Sequence, residues 1–154
     1  MDTQTHTDAI VEALDRLIEV NRDTETGYWT AAEGVANESA LQTLFHRFAQ
    51  QRARFAADLE QEVRTYGGEP SDKGTVGGSL RRGWLHIKAA VTGGDETAVL
   101  AECERSEQIA LESYEDALRE DLPEYLKETL HQQHDEVLEV LQQLRALKDA
   151  RSAR

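Results

Sequence analysis

Residues 67–94 read GGEPSDKGTVGGSLRRGWLHIKAAVTGG, and this stretch decides how the rest of the chain can be arranged. It begins and ends on a Gly-Gly pair. Its first part, to Gly78, is the only real linker in the chain, rich in the glycine, proline and polar residues that interrupt regular structure. Its second part sets Leu80, Trp84, Ile87 and Val91 at helical spacing, which predicts a short amphipathic helix from Leu80 to Thr92. On either side lie two longer segments with an apolar stripe of helical period. The connection between the pairs is therefore long, whereas the connection within each pair is a tight turn.

The first long helix is expected from about Thr7 to Val35, with Ile10, Leu14, Leu17, Ile18, Tyr28 and Ala32 on one face. Asn37 is a fitting N-cap for the second, which runs to about Tyr66 through Leu41, Phe45, Phe48, Phe55 and Leu59. Asp95 can cap the third, expected to about Asp121, with Leu100, Cys103, Leu111 and Tyr114 inward. Pro123 suits a first helical position, and the fourth runs to about Ala150 through Leu126, Leu130, Val137 and Leu141. Each long helix spans about 40 Å at 1.5 Å per residue. Amphipathic helices of equal length bury a single stripe best as a bundle.

These features predict an all-α fold. Two antiparallel helix hairpins joined by a long crossover containing a short helix constitute the ferritin-like four-helix bundle. An up-down-up-down bundle with a lid helix is the alternative. Residues 1–154 are expected to form a single domain, with short flexible ends at about 1–7 and 150–154.

Composition narrows the function. The formal net charge of -13 would repel nucleic acid and anionic membrane, so neither is an expected partner. One cysteine, Cys103, allows no internal disulfide. The start, MDTQTHTDAI, lacks a basic region followed by an apolar run, and no stretch approaches transmembrane length. A cytoplasmic protein is the expectation.

The stripes are interrupted near the middle of each long helix. Asn21 and Glu25 interrupt the first, Arg52 the second, Glu104 and Glu107 the third, and His134 the fourth, flanked by Gln133 and His131. Folded as hairpins, these residues lie within about one turn of a common level and form one polar layer in an apolar core. Buried ions need partners, because desolvation costs several kcal/mol per ion. Three carboxylates against one guanidinium leave a deficit of two positive charges, which a divalent cation or protonated side chains would fill.

Three readings stay open. The layer is a structural ion network, with Arg52 bridging Glu25 and a glutamate of the third helix. Alternatively it holds one divalent metal (iron, manganese or zinc) on Glu25, Glu104, Glu107, His131 and His134. The third reading is a degenerate two-iron oxidase or peroxidase site. Di-iron bundles use lone glutamates and Glu-x-x-His pairs, whereas Arg52-x-x-Phe55 occupies that spacing here, and arginine cannot ligate a metal. A non-enzymatic bundle is the leading expectation. A protein-interaction module acting through the acidic surface or the crossover helix, with a homodimer as its simplest form, is a further alternative.

Elsewhere, His46 and His86 read as surface or packing residues, and Tyr28 and Tyr114 as inward-facing near the polar layer. Trp84 is expected to anchor the crossover helix, and Arg81-Arg82 is too small a patch for nucleic acid.

The stretches LIEVNRDTETGYWTAAE (17–33), FAQQRARFAADLEQEVRTYGGEP (48–70), GSLRRGWLHIKAAVTGGDE (78–96) and LAECERSEQIALESYEDAL (100–118) resemble a bacterial family of ferritin-like four-helix-bundle proteins catalogued as a domain of unknown function. The resemblance runs from Ile10 to about Lys148. It implies the ferritin-like fold, a bacterial cytoplasmic location and an association with stress. The family supplies no catalytic residues. Similarity to ferritin and rubrerythrin is more remote: only Glu25, a third-helix glutamate and His134 stand where those proteins place ligands.

Overall fold

The computed structural model describes residues 3–70 and 78–152, and the side chains of all of these except 78–84. The elements are α1 (Thr3–Gly34), α2 (Ser39–Thr65), α3 (Gly78–Thr92), α4 (Glu96–Leu118) and α5 (Glu124–Ser152). Among the described residues there is no strand, so the fold is all-α. No described helix is long and apolar enough to cross a membrane.

The helix boundaries follow from local chemistry. Asp95 caps α4, its carboxylate accepting from the backbone N–H of Thr97 at 3.0 Å and of Ala98 at 3.3 Å. At the end of α2, Gly67 takes a φ of 81°. Its N–H reaches Arg64 O and the N–H of Gly68 reaches Val63 O, a complete Schellman motif. Some ends differ from expectation. α1 already begins at Thr3, and α4 stops at Leu118 rather than near Asp121. The residue preceding α2 is Glu38, not Asn37, and it makes no side-chain cap; its carboxylate instead lies 3.7 Å from Arg151. Pro123 stands one place before α5, where its carbonyl accepts from Leu126 and Lys127.

α1 packs along α2 and α4 along α5, giving two hairpins. α1 also packs on α4, in the opposite sense. Asn21 meets Tyr114, while Tyr28, two turns further on, meets Glu107, two turns further back. Both α2 and α4 thus run against α1 and parallel to each other. The chain between Thr65 and Glu96 consequently has to return from one end of the bundle to the other.

The core has two apolar parts. One holds Leu14, Leu17, Leu59, Ala110, Leu126 and Leu130 near the start of α1. The other holds Ala32, Phe45, Leu100, Cys103 and Leu144 near its end. Polar side chains lie between them.

α3 packs on α1 and α4. Gly27 and Gly34, seven residues apart and therefore on one face of α1, admit it closely. A Cβ at Gly34 would stand 2.6 Å from Val91 Cγ2, and one at Gly27 would stand 3.0 Å from Ile87 Cδ1. Ile87 is buried there. The anchoring expected of Trp84 falls on a side chain outside those described.

Candidate functional site

Arg52 occupies the inner face of α2 between Ala49 and Ala56, both fully buried. Their small side chains leave room on that face for a guanidinium. The group reaches across the core to Glu107 of α4. Nη1 donates to Oε1 and Nη2 to Oε2, each at 2.6 Å, and both side chains are 0% exposed. Two parallel charge-assisted bonds in this fork arrangement are the strongest form of an arginine–carboxylate pair. Arg52 Nε donates to Gln51 at 3.2 Å, and the Phe55 ring lies 6.0 Å from Cζ. From α1, the Tyr28 hydroxyl donates to Glu107 Oε2 at 2.7 Å.

A second chain of bonds lies beside the first. Asn21 Nδ2 donates both to the Leu17 carbonyl and to the Tyr114 hydroxyl, each at 2.9 Å. That hydroxyl donates in turn to Gln133 Oε1 of α5 at 2.7 Å. The four long helices α1, α2, α4 and α5 thus each contribute a polar group to the layer. Within the layer, Asn21 Oδ1 is buried with no hydrogen-bond partner among the described residues.

Burial opposes the charge on Arg52, but the facing Glu107 more than offsets it and the guanidinium pKa is raised. Burial, reinforced by the charge of Glu107, pushes the Tyr28 hydroxyl well above its ordinary range. Burial also pushes Tyr114 and the Cys103 thiol upward. A thiol so placed is not a thiolate nucleophile.

The residues expected to ligate a metal are dispersed. Of the five, only Glu107 enters the layer. Glu25 accepts from Arg22 at 3.1 Å and faces Trp29 at the surface. Glu104 pairs with Arg145 and Lys148 of α5. His134 lies between Glu115 and Asp135, and His131 is exposed. The physical cause is the same for Glu25, Glu104 and His134. Each is one residue past the truly buried position (Thr24, Cys103 and Gln133), and one residue is 100° around a helix.

The donor set therefore does not fit a metal. Both oxygens of Glu107 are engaged by Arg52, and one also by Tyr28. Among the described residues, no group of three or more histidine, cysteine, aspartate or glutamate side chains is arranged to hold an ion. With one carboxylate facing one guanidinium, the layer has no deficit of positive charge. Among the described residues Arg52 bridges no second carboxylate, since Glu25 is engaged by Arg22.

Residues 9–120 match a protein family described as a domain of unknown function, DUF2383. The chain belongs to this family. No curated protein matches it. The DUF2383 match spans α1 to α4 and so includes Asn21, Tyr28, Arg52, Glu107 and Tyr114. Gln133, His131 and His134 lie beyond it, on α5.

The bonds of Tyr28 to Glu107 and of Tyr114 to Gln133 were not foreseen individually. The inward position of both tyrosines was legible, but a hydroxyl at the tip of a long ring meets residues that helical spacing does not identify. The cradle of Gly27 and Gly34 was also missed, although two glycines seven apart inside a helix mark a close approach.

Proposed function

We propose that this DUF2383 domain is a non-enzymatic, ferritin-like bundle whose central layer is a structural ion network and which acts through its surface. The ferritin-like reading is supported by the two hairpins and the parallel course of α2 and α4, which require a connection from end to end. The observation that carries the functional reading is the forked Arg52–Glu107 pair, fully buried in mid-bundle. In a ferritin-like bundle this mid-bundle level is where di-iron proteins keep their ligands. The pair engages both oxygens of Glu107, the one carboxylate among the described residues that enters the layer.

Buried pairs of this kind add little net stability but can hold register. The branched contacts of Arg52 and Glu107 tie α2 to α4 and α1 at one height. A one-turn slip of either hairpin would separate the charges. With chemistry at the core closed off, the surface carries the function in this reading, in keeping with the stress association implied by the family resemblance.

The test is anaerobic loading with iron(II) followed by oxygen and peroxide uptake. Rates equal to those of free iron at the same concentration are expected. Catalysed uptake that disappears on Glu107→Ala would overturn it.

A further inference from the structure

The side of the bundle between α2 and α5 is open. These helices are tied at one end, where Tyr125 OH donates to Glu62 at 3.0 Å and lies 3.1 Å from Tyr66 OH. They are tied at the other by Arg151 and Glu38. Between the ties they do not close on each other as α1 closes on α4. A groove of about 760 Å³ is left, within the size range of ligand pockets.

The two banks carry opposite charge. Arg47 and Arg54 stand on the α2 bank, and Glu136 and Glu139 on the α5 bank. Among the described residues, none of these four has an oppositely charged group within 4 Å. Arg22, Arg145 and Arg151 elsewhere all do. Glutamine carboxamides also line the groove, Gln51 between the two arginines on α2 and Gln143 beyond the glutamates on α5, and such groups both donate and accept. Phe48 and Val140 form an apolar floor.

The geometry points to a binding site for an extended peptide segment with alternating acidic and basic side chains. Successive side chains of an extended chain point to opposite sides. An alternating sequence therefore turns every carboxylate to the arginine bank and every cation to the glutamate bank. The glutamines meet its peptide N–H and C=O groups, which need partners when covered. Arg47 and Arg54 are about 10.5 Å apart along the helix, between the roughly 7 Å and roughly 13 Å that separate same-side residues two and four apart in an extended chain, a difference their long side chains can take up. A purely acidic ligand meets the protein's net charge of -13, and a purely basic one is repelled by one bank. This inference rests on the reading that the domain works through its surface. The iron-uptake experiment tests that reading separately, so failure of either is distinguishable.

The experiment is fluorescence polarisation with labelled octapeptides: alternating Glu-Lys, and a block of four Glu followed by four Lys. Composition and net charge are the same, and only the pattern differs. Alternating peptide is expected to bind about tenfold more tightly than block peptide, and to lose about tenfold on R47Q/R54Q or on E136Q/E139Q. All four side chains line an open groove, so circular dichroism should show the variants folded; Arg119→Gln, far from the groove, should bind as wild type. Equal binding of the two peptides, binding of neither, or variants that bind as wild type would overturn the proposal.

Discussion

Arg52 and Glu107 meet through two bonds of 2.6 Å in the centre of the bundle, with neither side chain exposed to solvent. Their sequence separation of 55 residues crosses the long connection, so the pair fastens one hairpin to the other. Removing one partner strands a buried charge, whereas removing both strands none.

Arg52→Met and Glu107→Leu should accordingly each lose roughly 3–5 kcal/mol of unfolding free energy. A triple variant, Arg52→Met/Glu107→Leu/Tyr28→Phe, should recover most of that loss, since no buried polar group is then left without its partner. Urea unfolding of the set measures this. A triple variant as unstable as the worse single would mean that the pair is itself a major source of stability.

Gly34 lies under Val91, and the 2.6 Å clearance leaves no room for a methyl group. Gly34→Ala should push α3 off α1 at a cost of about 1–3 kcal/mol, with Val91→Ala restoring part of it. Hydrogen exchange localises the effect: amides of α3 should exchange faster while those of α2 and α5 do not.

Much of the fold was legible because helix periodicity and breakers are local signals. Gly67–Gly68, Gly93–Gly94 and Asp95 sit where elements end or begin. The site was legible only in part. Asn21, Arg52 and Glu107 enter the mid-bundle layer as the stripes indicate, whereas Gln133 reads from sequence only as a flank of His134, and the stripe was followed to Glu25, Glu104 and His134, each a residue too far. Flanks of a stripe are ambiguous by about 100°, and only the neighbouring helix resolves them. Arg145 and Lys148, for example, draw Glu104 outward. That displacement removes the apparent excess of negative charge, and with it the main sequence argument for a cation.

Glu104 also sets a pH dependence. The hydrogen bond from Lys148, opposed by partial burial and aided by Arg145, holds its carboxyl below the ordinary range. A depressed carboxylate contributes stability above its unfolded value, near pH 4.3, and that contribution fades as pH falls through its folded value. The group is partly solvated, so the contribution is about 0.5–1 kcal/mol. Glu104→Gln should lose that amount at pH 7 and show a shallower decline in stability below about pH 4.3, as followed by thermal unfolding across pH.

The central claim is that an internal ion pair stands where a metal centre would otherwise be. Elemental analysis of untagged protein, expressed with added iron, manganese and zinc and purified without chelator, tests it most directly. Well under one equivalent of each metal, in wild type and in Glu107→Ala alike, is the predicted result. Near-stoichiometric metal in wild type that vanishes in Glu107→Ala would contradict it.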